Sequence, residues 1–218
     1  MNVVVMIMKV NSKPMNEFDQ KARDWDKNKM NVERTIAIAG KLLKLIPEKP
    51  ALKALEFGAG TGLLSFYLKD RFSEITLMDT SREMLKMAKL KMDKDDRSKF
   101  RTLFFNLENK EYHRAMFDVI YSQMVLHHIK DTDDIFQKFY HLLNPGGLLA
   151  VADLYPEDGS FHDYNMGVHR GFDPKELKST LIQKGFQKYK TYPCFVMRKE
   201  ISNGTIKDYP VFIMTAYK

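Results

Sequence analysis

The spacing of apolar residues changes period repeatedly along the chain, and each change marks an element. Phe18, Ala22 and Trp25 recur at i, i+4 and i+7 and predict a helix over residues 14–26. Val32, Ile36, Ala39, Leu43 and Ile46 mark a second amphipathic helix, stopped by Pro47 and Pro50. Residues 52–57 form a short apolar strand that breaks into the turn Gly58-Ala59-Gly60-Thr61-Gly62, and a helix follows through Leu63, Phe66 and Tyr67. A second strand over 75–78 ends at Asp79. Ser81 then caps a helix whose inner positions are Met84, Leu85, Ala88 and Met92. A third strand over 103–105 precedes Asn106, and a fourth spans 117–121. Residues 131–143 predict a helix that Asn144-Pro145-Gly146-Gly147 stops, and a fifth strand over 148–152 ends at Asp153. Residues 154–172 read as a long loop, and Asp173-Pro174 opens another helix. The segments 189–201 and 206–217 read as an antiparallel hairpin about Ser202-Asn203-Gly204.

Strands alternating with helices of this length argue for an open α/β sheet with right-handed crossovers, the hairpin extending one edge. Ligands of such sheets lie beyond the carboxyl ends of the strands, where every motif singled out below falls. Composition adds exclusions. With 44% apolar residues in 218, the chain can bury a core, which rules out wholesale disorder. The single cysteine, Cys194, rules out an internal disulfide framework and a Cys-rich zinc site, and its apolar strand predicts a buried small hydrophobe. The net charge of +7 is spread: segments 1–50, 82–101 and 186–218 each carry an excess of four positive charges. Such scatter fits a solvated basic surface better than a nucleic-acid footprint. The apolar run 3–8 is far short of the roughly 20 residues that span a bilayer. Residues 1–13 are expected to be a poorly ordered leader, 14–50 a helical cap and 51–218 the main domain, in a cytoplasmic protein without a membrane span.

The glycine turn is the most informative segment. Its glycines let the backbone take unusual dihedrals and let a ligand lie against it near a helix start. Asp79 ends the next strand 17 residues past Gly62, where a carboxylate can accept from both hydroxyls of a ribose. A dinucleotide fingerprint would place a third glycine where Leu63 stands, which disfavours a dehydrogenase. Glu56, just before the turn, suits a ligand with positive charge and no pyrophosphate, such as S-adenosylmethionine with its sulfonium and ammonium groups.

Residues 55–62 with Asp79 resemble the first two motifs of the class I S-adenosylmethionine-dependent methyltransferases. Phe117-Asp118-Val119-Ile120-Tyr121-Ser122 is similar to that family's fourth strand, and Asn144-Pro145-Gly146-Gly147 to the turn before its fifth. Phe18-Asp19 with Ala22, Trp25 and Asp26 resembles the helix that caps the cofactor in small-molecule members of the ubiquinone/menaquinone-biosynthesis type. The resemblance implies a Rossmann-like, mostly parallel seven-stranded sheet with helices on both faces, an antiparallel C-terminal hairpin and an N-terminal helical cap. It implies S-adenosyl-L-methionine as cofactor and S-adenosyl-L-homocysteine as product. Expected cofactor-binding positions are Trp25, Glu56, Gly58, Ala59, Gly60, Gly62, Asp79, Thr80, Met84, Asn106, Leu107 and Ser122. The family often has Asp where Asn106 stands; the amide still accepts from an adenine amino group, without charge.

Methyl transfer from a sulfonium needs positioning and desolvation more than a triad, and a base only where the acceptor must lose a proton. His127 and His128, after the fourth strand, and His162, on the long loop, are the catalytic candidates, able to orient or deprotonate an acceptor. Asp153, Asp158 and His169 are further polar groups on the same segment. No tight metal-binding spacing joins the histidines, so no metal is expected. The expected partner is a small-molecule methyl acceptor, with the protein a monomer or homodimer. The alternatives are an RNA or protein methyltransferase and a non-catalytic cofactor-binding protein of the same fold.

Overall fold

The computed structural model describes residues 17–162, 169–201 and 204–218. The predicted leader 1–13, the start of the first predicted helix and Ser202-Asn203 of the hairpin turn lie outside these residues. Seven strands form one sheet: β1 (Lys53–Phe57), β2 (Glu74–Asp79), β3 (Phe100–Phe104), β4 (Phe117–Gln123), β5 (Leu143–Leu154), β6 (Gln187–Glu200) and β7 (Ile206–Tyr217). Their order is β3-β2-β1-β4-β5-β7-β6. The first five pair in parallel, and β7 runs antiparallel between β5 and the edge strand β6. This is the expected Rossmann-like architecture. The order reverses between β1 and β4, and the carboxyl ends of those two strands open a crevice there.

Side chains alternate across the sheet, so each strand feeds two cores. On one face Ala54, Leu77 and Tyr121 pack with Ile38 and Leu42 of α2 (Lys29–Leu45), Leu64 and Leu68 of α3 (Leu63–Leu68), and Leu85 and Ala88 of α4 (Arg82–Lys91). On the other, Leu55, Ile120 and Met214 meet Phe136 and Phe139 of α6 (Thr132–Leu142) and Leu177 and Leu181 of α7 (Pro174–Gln183). The cap read from sequence forms, Ser81 accepting from Met84 N–H, and Asp131 and Asp173 cap α6 and α7 by accepting from Asp134 N–H and Lys175 N–H.

Several local expectations are corrected. The first predicted helix is broken into α1 (Glu17–Lys21) and a 3-10 turn, Trp25–Lys27. α2 turns a different face inward than its aliphatic spacing suggested: Arg34, Thr35, Ile38, Ala39 and Leu42 are buried, while Ile36 is 48% exposed. Two polar residues on the buried face disguised it. A short helix, α5 (Lys94–Lys99), with an Asp93–Asp96 capping box went unread, and β3 begins at Phe100 because that buried ring pairs with Ile75. Residues 144–147 lie within β5 as an irregularity, not before it: Phe117 pairs with Leu143, and Val119 with Leu148. Cys194 is half-buried on the edge strand, not fully enclosed.

Candidate functional site

The turn from β1 to α3 uses its glycines for different reasons. Gly58 has φ +66°, and a Cβ there would lie 2.4 Å from Val125 Cγ2, so only glycine lets the two loops meet. At Gly60 a Cβ would find only Met84 Sδ, 3.9 Å away. The backbone there is bare toward open space, as a surface for a bound ligand must be. Gly60 N–H and Ser81 N–H donate to the two oxygens of Asp79, each at 2.7 Å. Burial raises the Asp79 pKa, and the amides of Ser81, Gly60 and Thr80 oppose the rise. The carboxylate is thus fixed at the end of β2 while retaining lone pairs for a ligand.

Two aspartates fasten the N-terminal segment over this turn. Asp19 accepts from the Ser81 hydroxyl at 2.5 Å and from Glu83 N–H at 3.3 Å. Asp26 accepts from the Thr61 hydroxyl at 2.6 Å and pairs with Lys91 at 2.6 Å. Phe18 then stands edge-on to Trp25 and to His128, at centroid distances of 6.2 and 5.3 Å. The segment is a roof over the crevice, as its sequence suggested.

Beneath it lies a cavity of about 450 Å³, a size suited to a cofactor-sized ligand. Of the residues expected at the cofactor, Trp25, Gly58, Ala59, Gly60, Asp79, Thr80, Met84, Asn106 and Leu107 line it. His127, His128 and His162 line it as well. Glu56, Gly62 and Ser122 are not among its lining residues. Gly62 instead lets the turn pack: a Cβ there would lie 2.9 Å from Leu77 Cδ1. Ser122 is buried, its hydroxyl without a hydrogen-bond partner. Glu56 is fully buried, one oxygen accepting from Ser65, whose hydroxyl also lies 2.6 Å from the Tyr121 hydroxyl. Its other oxygen has no partner, and burial pushes its pKa up to about 8. Strand alternation accounts for this: Glu56 points toward the α3 side, while the turn that follows bends over the carboxyl end of the sheet.

The histidines are set by a short 3-10 turn, Leu126–His128, after β4. Met124, just before it, takes a left-handed φ of +55°. Its N–H donates to Ala152 O at 2.8 Å, and the bond aims the turn across the strand end. His127 Nδ1 lies 2.6 Å from Asp153 Oδ1 at the end of β5, and Leu154 N–H holds the same oxygen at 2.8 Å. His162 returns from the long loop to within 5.0 Å of both other rings. Burial, and then the neighbouring histidines, lower the pKa of His128 to about 3 and of His162 to about 4. Both are neutral near pH 7, hydrogen-bonding groups rather than strong bases. His169 and Asp158 stand elsewhere: His169 Nε2 lies 2.9 Å from Ile129 O, and exposed Asp158 pairs with Lys207.

Three contributors escaped the sequence reading. Arg34 lines the cavity at 6% exposure; its Nη1 lies 3.4 Å from Met197 Sδ, and its Nε is buried without a partner. Burial lowers its pKa to about 10, against the attraction of Asp153. Phe161 closes the wall beside the histidines, its ring 4.7 Å from His162. Lys138 of α6 donates to Leu107 O at 2.8 Å and Glu108 O at 3.1 Å, setting the segment after β3. A buried arginine inside an aliphatic pattern gives no local signal, and the others are joined to the site only by folding.

Residues 55–149 match the family described as methyltransferase domain. An uncharacterized methyltransferase of Schizosaccharomyces pombe is 31% identical over 146 residues, 60% of this chain and 51% of that protein. A malonyl-[acyl-carrier protein] O-methyltransferase of Enterobacter lignolyticus is 29% identical over 123 residues, 55% of this chain and 47% of that one. The chain thus spans about half the length of these curated relatives. Haemonchus contortus phosphoethanolamine N-methyltransferase 2, solved with phosphomonomethylethanolamine and S-adenosylhomocysteine, shares the fold: TM-score 0.70, 17% identity, 94% of this chain and 60% of that chain.

Proposed function

We propose, from the premise that the chain carries a class I S-adenosylmethionine-dependent methyltransferase domain, that it methylates a small acceptor bearing a carboxylate or a phosphate. The observation that carries this reading is Arg34. Its guanidinium is buried on the cavity wall, and among the described residues it forms no ion pair. Asp153 attracts it without a direct ion pair, so its burial remains costly, and an anionic ligand offsets that cost. Malonyl and phosphoethanolamine, which name two of the relatives above, are both anionic groups.

The residues present fit the cofactor. The bare Gly60 backbone faces open space, and the Asp79 carboxylate at the cavity wall can accept from ribose hydroxyls. Thr80, Met84, Phe105, Asn106 and Leu107 line the part of the cavity next to it. When bound, S-adenosylmethionine supplies a methyl group on a sulfonium, already primed for in-line displacement. The chain's own task is placement. Arg34 would hold the anionic end of the acceptor, the neutral His128 and His162 would orient its nucleophilic atom by hydrogen bonds, and Phe18 and Trp25 would keep water out.

Basic segments give little support to a nucleic-acid acceptor. α4, α5 and β3 carry one of them at one edge of the sheet, and β6 carries another at the opposite edge. Among the described residues no helix is long and apolar enough to cross a membrane. The test is donor consumption, followed by mass spectrometry, with matched acceptors that do or do not carry a carboxylate or phosphate. Anionic acceptors should be preferred, and Arg34→Met should raise their KM at least about tenfold while leaving donor affinity nearly unchanged. Equal turnover of uncharged analogues would overturn the anion assignment. Donor binding without consumption by any acceptor would favour the non-catalytic reading.

A further inference from the structure

Three imidazoles from two distant parts of the chain share one wall of the cavity. The rings of His127 and His128 are 4.2 Å apart between centroids, and each is 5.0 Å from the ring of His162. One ring nitrogen from each lies within 4.8 Å of the corresponding nitrogen of the other two. Among the described residues no hydrogen bond joins these rings to one another. His162 Nε2 is buried without a partner, an arrangement that ordinarily costs about 1–3 kcal/mol. Water or a proton could satisfy one such nitrogen. Three ring nitrogens this close to one another are better matched by a single cation.

We propose that His127, His128 and His162 form a binding site for a divalent transition-metal ion of the zinc type, open on its cavity side. Nitrogen ligands in the neutral form suit such ions. The lowered pKa values of His128 and His162 agree with that form. His127 is oriented as a ligand should be. Its Nδ1 faces the Asp153 carboxylate at 2.6 Å, which leaves Nε2 for the metal, and Leu154 N–H fixes that carboxylate in turn. A tetrahedral site with metal–nitrogen bonds of about 2.0–2.1 Å needs ligand separations of about 3.3 Å. The three rings would therefore close by up to about 1.5 Å from their 4.8 Å limit, a movement within reach of side-chain rotation. Three protein ligands leave a fourth position toward the cavity that Arg34 also lines. Water or another oxygen ligand can occupy it. No spacing rule finds such a site, because His162 stands 34 residues beyond His128.

The proposal stands apart from methyl transfer and is tested without it. Tag-free, chelator-treated full-length protein is titrated with zinc in a calorimeter and with cobalt(II) in a spectrometer. One equivalent should bind with a dissociation constant below about 10 µM, and cobalt should give the visible bands of a four-coordinate nitrogen–oxygen site. His128→Ala and His162→Ala should each weaken zinc at least about tenfold, with unfolding midpoints checked in parallel. Should either alanine variant unfold, His128→Gln and His162→Gln take its place and should show the same loss. Less than half an equivalent bound at 100 µM zinc, or unchanged affinity in the folded His162 variant, overturns the site. Zinc bound without methyl transfer to any acceptor would leave the site standing and count against the proposed activity.

Discussion

Gly58 and Val125 meet where a glycine Cβ would lie 2.4 Å from Cγ2, so the glycine turn and the loop after β4 are built as one surface. Gly58→Ala forces this contact at a left-handed φ and should cost about 1–3 kcal/mol in urea unfolding. Val125→Ala in the same chain should recover a large part of the loss. Simple additivity of the two substitutions would show that the strain lies in the turn alone.

Asp79 is held by two amides and faces the cavity. Asp79→Ala should weaken S-adenosylmethionine binding at least about tenfold, or ~1.4 kcal/mol, by calorimetry. It also frees the Gly60 and Ser81 amides, so Asp79→Asn, which keeps one accepting oxygen, should lose less. Equal affinity of Asp79→Ala and the wild type would mean that the ribose is held elsewhere.

Asp153 fixes His127 and the start of the long loop through the same carboxylate. Asp153→Ala leaves the His127 ring nitrogen and the Leu154 amide without their acceptor and should lower stability by about 2–3 kcal/mol. Asp153→Asn should cost less. A midpoint unchanged by the alanine would show that water replaces the carboxylate without penalty.

Glu56 gives a pH signature. Burial pushes its carboxyl up to about 8 in the folded protein, above its ordinary 4.5. Between these values the folded chain keeps a proton that the unfolded chain has released. The stability linked to this group is fully present below about 4.5, declines with rising pH, and is lost above about 8. Glu56→Gln removes the dependence. The melting temperature of the variant, relative to the wild type, should therefore rise between pH 5 and pH 9. A constant difference across that range would refute the buried, protonated carboxyl.

The legible part of this protein was its punctuation. The strand, glycine turn and terminal aspartate are local, and the chain encodes each within a few residues. That was enough to place Gly58, Gly60 and Asp79 on the cavity. Reading failed where a side chain's direction depends on packing. Glu56 has the right position in the chain but points to Ser65, because alternation along β1 decides its side. Arg34 hides on a helix whose aliphatic spacing indicates a neighbouring face, and only docking against the sheet shows which face is buried. The three histidines have no local spacing that joins them; folding brings the rings of His127 and His128 within 5.0 Å of the ring of His162.

The position of β6 gives the scattered positive charge another use. This 14-residue strand is the outer edge of the sheet, with unpaired backbone groups that another chain could join. It carries exposed Lys188, Lys190, Arg198 and Lys199, contains Pro193, and has irregular pairing with β7 between Pro193 and Phe195. Like charges, a missing amide and a broken register all oppose the addition of a further strand. Part of the charge excess therefore serves as insulation, opposing the addition of an eighth strand at this edge.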